Sequence, residues 1–239
     1  NQTTMNMNKI FMKSSLLVLV VCFSVFSCLS CDNDDDLSAP RIDTVWSNMN
    51  TQPIEQVQCA YPRQTVSLRG AGFKGVEKVT VNGYEIDLAE NQIYNTDRSI
   101  IIVLPQDVAT TTATGEAYLK VENAEGEALY QPFYVFTEDE QPVITKFSAT
   151  TLTPGSQLCI TGENLGGATE VYLPLAFDQK VKCELDPAQP SSDTEVYVIV
   201  PDGVNFAEGQ VEVVMNKVYA PTGAEYVDKA YSEVTNFTN

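Results

Sequence analysis

The sequence contains no histidine, so the commonest acid-base side chain and metal ligand is absent. Ser-His-Asp triads, Cys-His couples and histidine metal sites are therefore excluded. The cysteines after residue 31 are Cys59, Cys159 and Cys183, and they show no C-x-x-C spacing, which argues against a zinc site. Cys159 and Cys183 could instead form a disulfide with each other, which is the alternative to two free thiols. Among the 32 acidic residues no catalytic carboxylate pair is picked out by its spacing, so we expect no enzyme, metal or cofactor.

Basic residues are also scarce, with 14 Lys and Arg against 32 Asp and Glu and a net charge of −18 at pH 7. A surface with this charge repels phosphates, so we expect no binding to nucleic acid. It suits neutral or cationic ligands better than anionic ones.

One stretch of the chain occurs twice. Residues 65–83, TVSLRGAGFKGVEKVTVNG, correspond to residues 157–173, QLCITGENLGGATEVYL, at an offset of 92. Residues 96–105 correspond to residues 192–201 at an offset of 96, so the second copy holds four extra residues between the matched strands. Alternating apolar residues predict strands with one buried face, and the glycines predict turns. The predicted inward positions are Val66, Leu68, Val79, Val81, Ile100 and Ile102, and in the second copy Leu158, Ile160, Val171, Leu173, Val196 and Val198.

The order of short motifs is the same in both copies. It is Pro-x-Ile, an alternating strand, Gly-x-x-(Phe/Leu), a short valine strand and an apolar run that ends in proline. Apart from the alternating strand, these motifs are residues 40–42, 70–73, 79–83 and 102–105 in the first copy, and residues 142–144, 162–165, 171–173 and 198–201 in the second. This order resembles the IPT/TIG domain, an immunoglobulin-like β-sandwich.

The resemblance implies an all-β chain with two tandem immunoglobulin-like sandwiches. We expect the first at residues 40–136, an acidic linker at 137–142 and the second at residues 143–239. The second copy lacks the Asn-Gly turn of the first, so its next connection should differ.

The N-terminal residues 1–30 have the pattern of a signal peptide, with basic residues before an apolar segment that is short for a membrane span. The pair Ser30-Cys31 resembles a bacterial lipobox, and the acidic run after it resembles the export signal of Bacteroidetes surface lipoproteins. We therefore expect acylation at Cys31, followed by an acidic tether at residues 31–39. Cys28 is the alternative, because Val25 lies at its −3 position.

Exposed aromatic rings are the remaining candidates for ligand contact, because sugars stack their apolar CH faces on such rings. Trp46 is the only tryptophan and is expected just past the first strand, beside a polar insertion. Tyr84 and Tyr94 are expected in or near loops, and Tyr172 and Tyr197 at outward strand positions. The alternative for each is a packing role, which is common for tyrosine on an open sheet.

The lipobox, the acidic run and the tandem repeats together resemble the surface glycan-binding lipoproteins of Bacteroidetes, including the SusE/SusF type. The resemblance implies a non-catalytic outer-membrane lipoprotein, anchored through an N-terminal lipid. Such a protein binds a polysaccharide or oligosaccharide near a SusC/SusD-like importer. The alternative is a structural spacer or accessory subunit of the importer, for glycan or peptide uptake, with no ligand site of its own.

Overall fold

A computed structural model describes residues 37–47 and 54–239, and residues 37–239 cluster as one compact unit. The described residues are mainly β-strands, which confirms the all-β prediction. The predicted signal peptide, Cys28 and Cys31 lie outside the described residues. In the part of the chain that is described, no helix is long and apolar enough to cross a membrane.

The N-terminal half, residues 37–136, contains two four-stranded sheets with the orders β1-β3-β7-β6 and β5-β4-β8-β9. The short strands β2 and β10 pair in parallel. Two short helices, α1 (Leu88–Asn91) and α2 (Thr111–Thr114), connect strands. The strands are β1 (Arg41–Ser47), β2 (Cys59–Ala60), β3 (Thr65–Ala71), β4 (Val76–Val81), β5 (Tyr84–Ile86), β6 (Gln92–Asn95), β7 (Ser99–Val103), β8 (Leu119–Asn123), β9 (Gly126–Tyr130) and β10 (Tyr134–Val135).

The C-terminal half, residues 143–239, contains one continuous ladder with the order β11-β12-β15-β14-β13-β17-β18, and a two-stranded pair of β16 and β19. The strands are β11 (Val143–Phe147), β12 (Gln157–Glu163), β13 (Ala168–Pro174), β14 (Lys180–Leu185), β15 (Glu195–Ile199), β16 (Glu208–Gly209), β17 (Glu212–Tyr219), β18 (Ala224–Tyr231) and β19 (Thr235–Asn236). A 3₁₀ helix (Glu138–Glu140) lies between the halves.

Each half encloses its own hydrophobic core. All twelve residues predicted to point inward are buried, with exposures of 1% or less, so the period-2 interpretation is confirmed. Burial of one aliphatic side chain stabilises the fold by about 1.5–3 kcal/mol, so these positions account for much of the stability of each half. The division into two sandwich domains, with boundaries at residues 136 and 143, stays a prediction.

Backbone hydrogen bonds reproduce the sequence repeat. The amide of Gly70 donates to the carbonyl of Arg98 at 3.0 Å. The equivalent amide of Gly162 donates to the carbonyl of Thr194 at 2.9 Å. Both offsets, 92 for the donor and 96 for the acceptor, are those of the sequence. A Cβ on Gly70 would lie 1.8 Å from the carbonyl oxygen of Arg41, so this close approach of two strands requires glycine.

The halves differ after the first hairpin, as the missing Asn-Gly predicts. In the first half β4 turns through Asn82-Gly83 into the short β5, and the separate strand β6 pairs with β7. In the second half the single strand β14 pairs with β13 along residues 180–183 and with β15 at residues 184–185. One strand therefore joins both layers around the second core.

A third apolar cluster lies between the two halves. Its buried members are Cys59, Tyr61, Tyr134, Phe136, Tyr219 and Tyr226. The rings of Phe136 and Tyr226 stack with centroids 5.0 Å apart, and the hydroxyl of Tyr219 donates to the carbonyl of Thr111 at 3.1 Å. Buried aromatic contacts of this kind restrict the motion of one half against the other.

Candidate functional site

One row of side chains crosses the outer face of the sheet β1-β3-β7-β6. Trp46 is opposite Ser67, Ser67 is opposite Ile101, and Ile101 is opposite Tyr94. Cross-strand partners share a face, and the adjacent Leu68 points into the core, so the row lies on the opposite face of the sheet. On that face Tyr94 is exposed, Trp46 and Ile101 are half-buried, and Ser67 is buried. Three spacings between neighbouring strands separate the backbones of Trp46 and Tyr94 by about 14 Å. We call these four residues the aromatic row.

The expectation that Trp46 lies past the first strand is wrong, because β1 extends through Trp46 to Ser47. The chain returns after the polar insertion and pairs with β1, with Ser47 N donating to Glu55 O at 2.8 Å and a bridge between Trp46 and Gln56. This pairing lengthens the strand and places Gln56 next to the indole. The sequence did not show it, because the insertion has no alternating pattern.

The indole of Trp46 is held in one orientation. Its Nε1–H donates to Thr44 Oγ1 at 2.8 Å. The guanidinium carbon of Arg69 lies 4.2 Å from the ring centroid, which is a cation–π contact. The ring is half-buried, and Arg69 covers one of its faces. A sugar ring would therefore use the other face or displace the guanidinium.

Of the two tyrosines predicted near loops, only Tyr94 joins the aromatic row. Its side chain is 52% exposed on the edge strand β6. Tyr84 lies on β5 in the other sheet, where it packs against the core and donates to Asp107 Oδ1 at 3.0 Å. That hydrogen bond raises the pKa of the Tyr84 hydroxyl. Tyr84 is therefore separated from Trp46 by the core.

Tyr172 and Tyr197 occupy outward positions in the C-terminal half, as predicted, on β13 and β15. The Tyr172 hydroxyl donates to Glu170 Oε2 at 2.6 Å, and the Tyr197 hydroxyl donates to Glu195 Oε2 at 2.8 Å. The second hydrogen bond raises the pKa of Tyr197 to about 12. Both hydroxyls are thus engaged on their own strands, and the two strands lie on either side of β14.

The cysteines of the described chain, Cys59, Cys159 and Cys183, are all free thiols, so the alternative of a Cys159–Cys183 disulfide is not realised. Burial raises the pKa of Cys183 to about 12. Within residues 37–47 and 54–239, no group of three acidic or cysteine side chains is arranged to hold a metal ion.

Sequence reasoning missed an ion network between the halves. Glu212 on β17 is 3% exposed and pairs with Lys180 and with Lys229, whose Nζ lies 2.9 Å from Glu212 Oε1. Glu55 of the N-terminal half also pairs with Lys229, and the Tyr231 hydroxyl donates to Glu55. No local motif contains these residues, since they lie far apart in the chain and meet only through packing.

The charges of the network are set by burial and by its hydrogen bonds. Burial by itself raises the pKa of Glu212, but the hydrogen bonds from Lys180 and Lys229 lower the pKa below its usual value. In Glu55 burial prevails over the hydrogen bond from Lys229, and the pKa is raised. In Lys229 burial opposes the charge, but hydrogen bonds to Glu55 and Glu212 raise the pKa. The network therefore keeps Glu212 and Lys229 charged.

A second polar contact crosses the junction at Asp228, which is buried on β18. Asp228 accepts hydrogen bonds from the Tyr61 hydroxyl at 2.6 Å and from Cys59 Sγ at 3.3 Å, and Lys217 Nζ lies 3.2 Å away. Burial, with the nearby Asp228 charge, raises the pKa of the Cys59 thiol and of the Tyr61 hydroxyl. Both groups therefore remain protonated donors.

The described residues form an all-β architecture with an aromatic row on one sheet and a polar junction between the halves. The chain is similar to an IPT/TIG domain-containing protein of Bacteroides ovatus, with 28% identity over 148 residues. The match covers 61% of this chain and 29% of the relative, so the chain spans well under half of that protein. The predicted resemblance to IPT/TIG-containing proteins of Bacteroidetes is thereby confirmed. No family model matches the chain.

Solved structures resemble the chain over most of its length at low identity. One is a crystal structure with a xylogluco-oligosaccharide, at 23% identity and a TM-score of 0.35, covering 85% of this chain and 41% of that one. Another is SGBP-B from a complex xyloglucan utilization locus in Bacteroides uniformis, at 13% identity and a TM-score of 0.32, covering 83% and 49%. A third is the surface glycan-binding protein PbSGBP-B from Prevotella bryantii, at 15% identity and a TM-score of 0.30, covering 83% and 41%.

Proposed function

We propose that this protein is a non-catalytic lipoprotein of the outer-membrane surface that binds an extracellular glycan near a SusC/SusD-like importer. The observation that carries the proposal is the aromatic row, in which the half-buried Trp46 and the exposed Tyr94 lie on the same face of one sheet. Sugar rings stack on such side chains through their CH faces. The backbones of the two residues lie about 14 Å apart, a spacing that suits an extended chain better than a single sugar.

Polar groups beside the row complete the site. Gln56 is exposed next to Trp46, and Arg69 lies over the indole, so both can bond sugar hydroxyls. The site is shallow, and it excludes little water. We therefore expect weak binding at each site, about micromolar to millimolar, with avidity supplied by many copies on one long polysaccharide.

The proposed site of the lipid anchor is Cys31, with Cys28 as the alternative. It is supported by Ser30 before Cys31 and by the aspartates after it. Incorporation of a palmitate analogue should be lost in Cys31→Ala and retained in Cys28→Ala. The reverse result would assign the lipid to Cys28, and incorporation in both variants would overturn this part of the proposal.

The binding proposal is tested by affinity gel electrophoresis against neutral α- and β-glucans, mannans and xylans. Trp46→Ala should reduce the retardation by a retained polysaccharide while the protein keeps the circular dichroism spectrum of the folded state. Leu129→Ala is the control, because Leu129 is 53% exposed on β9, outside both the aromatic row and the pockets. Unchanged retardation in Trp46→Ala would contradict a role for the row.

The second candidate is a rigid spacer or accessory subunit of the importer with no ligand site of its own. The buried aromatic cluster favours it, since Tyr134, Phe136, Tyr219 and Tyr226 hold the two halves together. If no polysaccharide is retained and the protein co-purifies with a SusC/SusD-like pair, this candidate is supported and the glycan proposal is wrong.

A further inference from the structure

Two pockets adjoin at Tyr231, close to the junction of the halves. The first has a volume of about 290 Å³ and lies between the chain before and after β2 and the strand β18. The second has a volume of about 350 Å³ and lies between the β13–β14 hairpin and the strands β16 and β17. Tyr231 is part of the wall of both. We call the two pockets together the junction groove, and each is near the size at which small ligands bind, about 300–1,000 Å³.

Glutamine is concentrated in this groove. Six of the eleven glutamines in the described chain line it, and they are Gln56, Gln58, Gln64, Gln141, Gln179 and Gln210. The Gln58 Oε1 accepts from Val227 N at 2.9 Å, which ties the first pocket to β18. The side chains of Gln56, Gln141 and Gln179 make no hydrogen bond to another described residue. These amides offer both donors and acceptors to a ligand.

The charged side chains in the wall of the junction groove form ion pairs with one another. Glu55 and Glu212 are matched by Lys180 and Lys229 in the ion network that Tyr231 joins. The wall therefore presents little uncompensated charge where the two pockets meet. The exposed Asp178 and Glu208 at the second pocket add negative charge, which repels an anionic ligand.

We infer that the junction groove binds a short segment of a neutral oligosaccharide that passes across Tyr231. The inference rests on the proposed function, and it assigns to the same glycan a second binding site on the protein. Hydroxyl groups are donors and acceptors at once, so they match amide side chains that offer both and carry no charge. The hydrogen bond to Glu55 holds the Tyr231 ring between the two pockets, where a sugar ring can pack against it.

Residues of both halves of the protein form the junction groove. Glu55, Gln56 and Gln58 come from the N-terminal half, and Lys229 and Tyr231 from the C-terminal half. The first pocket also begins one strand away from the aromatic row, because Gln56 is the bridge partner of Trp46. A long polysaccharide can thus contact the row and the groove in succession.

The test is calorimetric titration of the lipid-free protein with cello-oligosaccharides, and with soluble fragments of any glycan retained on gels. Gln141→Ala and Gln179→Ala should each weaken binding about fivefold, the equivalent of one neutral hydrogen bond. Gln106→Ala is the matched control, because Gln106 is exposed and lies outside both pockets. Its affinity should equal that of the unmodified protein.

The outcomes separate this inference from the proposed function. If a glycan binds, Trp46→Ala weakens it and both groove variants bind as before, the groove assignment is wrong and the proposed function stands. If an acidic polysaccharide such as alginate binds more tightly than neutral ones, the neutral ligand class is wrong. If nothing in the panel binds, both the groove and the proposed function are overturned.

Discussion

The Tyr61 hydroxyl donates a 2.6 Å hydrogen bond to Asp228 Oδ2, although the two residues are 167 positions apart. Both are buried, and each belongs to a different half of the protein. A hydrogen bond to a buried carboxylate is stronger than one between neutral groups. Together with the aromatic cluster, this bond holds the halves in one arrangement, on which the junction groove depends.

We expect Tyr61→Phe to lower the free energy of unfolding by about 1–3 kcal/mol, because Asp228 loses a buried donor. Denaturant titration measures the change. Tyr84→Phe is the matched control, since it deletes a tyrosine–aspartate hydrogen bond that is exposed to solvent. Its effect should stay within about 0.5 kcal/mol. Equal effects of the two substitutions would show that the Tyr61–Asp228 bond does not stabilise the junction.

Glu212→Gln should destabilise the protein by about 1–3 kcal/mol at pH 7, because Lys180 and Lys229 lose a buried anionic partner. The lowered pKa of Glu212 gives this contribution a definite pH dependence. It is fully present above the pKa of glutamate in the unfolded chain, about 4.3, and is lost as the pH falls through the lower folded value.

The melting temperatures of Glu212→Gln and of the unmodified protein should therefore converge as the pH is lowered from 7 to below about 4. Glu116→Gln, at an exposed position before β8, is the control and should show little difference at any pH. A constant gap between Glu212→Gln and the unmodified protein across this range would contradict the ionic role of Glu212.

Leu68→Ala should lower the free energy of unfolding by about 2–5 kcal/mol, because Leu68 is fully buried in the first core and its removal leaves a cavity. Leu129→Ala is the control, since Leu129 lies on the edge strand β9 and is 53% exposed. Its effect should stay within about 0.5 kcal/mol. Thermal unfolding followed by circular dichroism compares the two, and similar losses would contradict the inward assignment of Leu68.

For the outward aromatic residues, the sequence predicts the direction of each side chain on its strand but not which of the residues lie close together. Alternation places Tyr172 and Tyr197 on the outer face of their strands, and the structure agrees. Alternation does not relate Trp46 to Tyr94, because the two residues lie on different strands. Strand order and register bring them into one row, and neither can be read from a single strand.

The sequence by itself determined the all-β class, the two copies and the inward face of each strand. Those features follow from local patterns, since a period of two selects one face and a glycine selects each close turn. The tertiary structure alone decided the aromatic row, the ion network around Glu212 and the groove at Tyr231. Their members lie far apart in the chain. Strand order and register within one sheet assemble the row, whereas packing of the two halves assembles the network and the groove, and no local pattern specifies either.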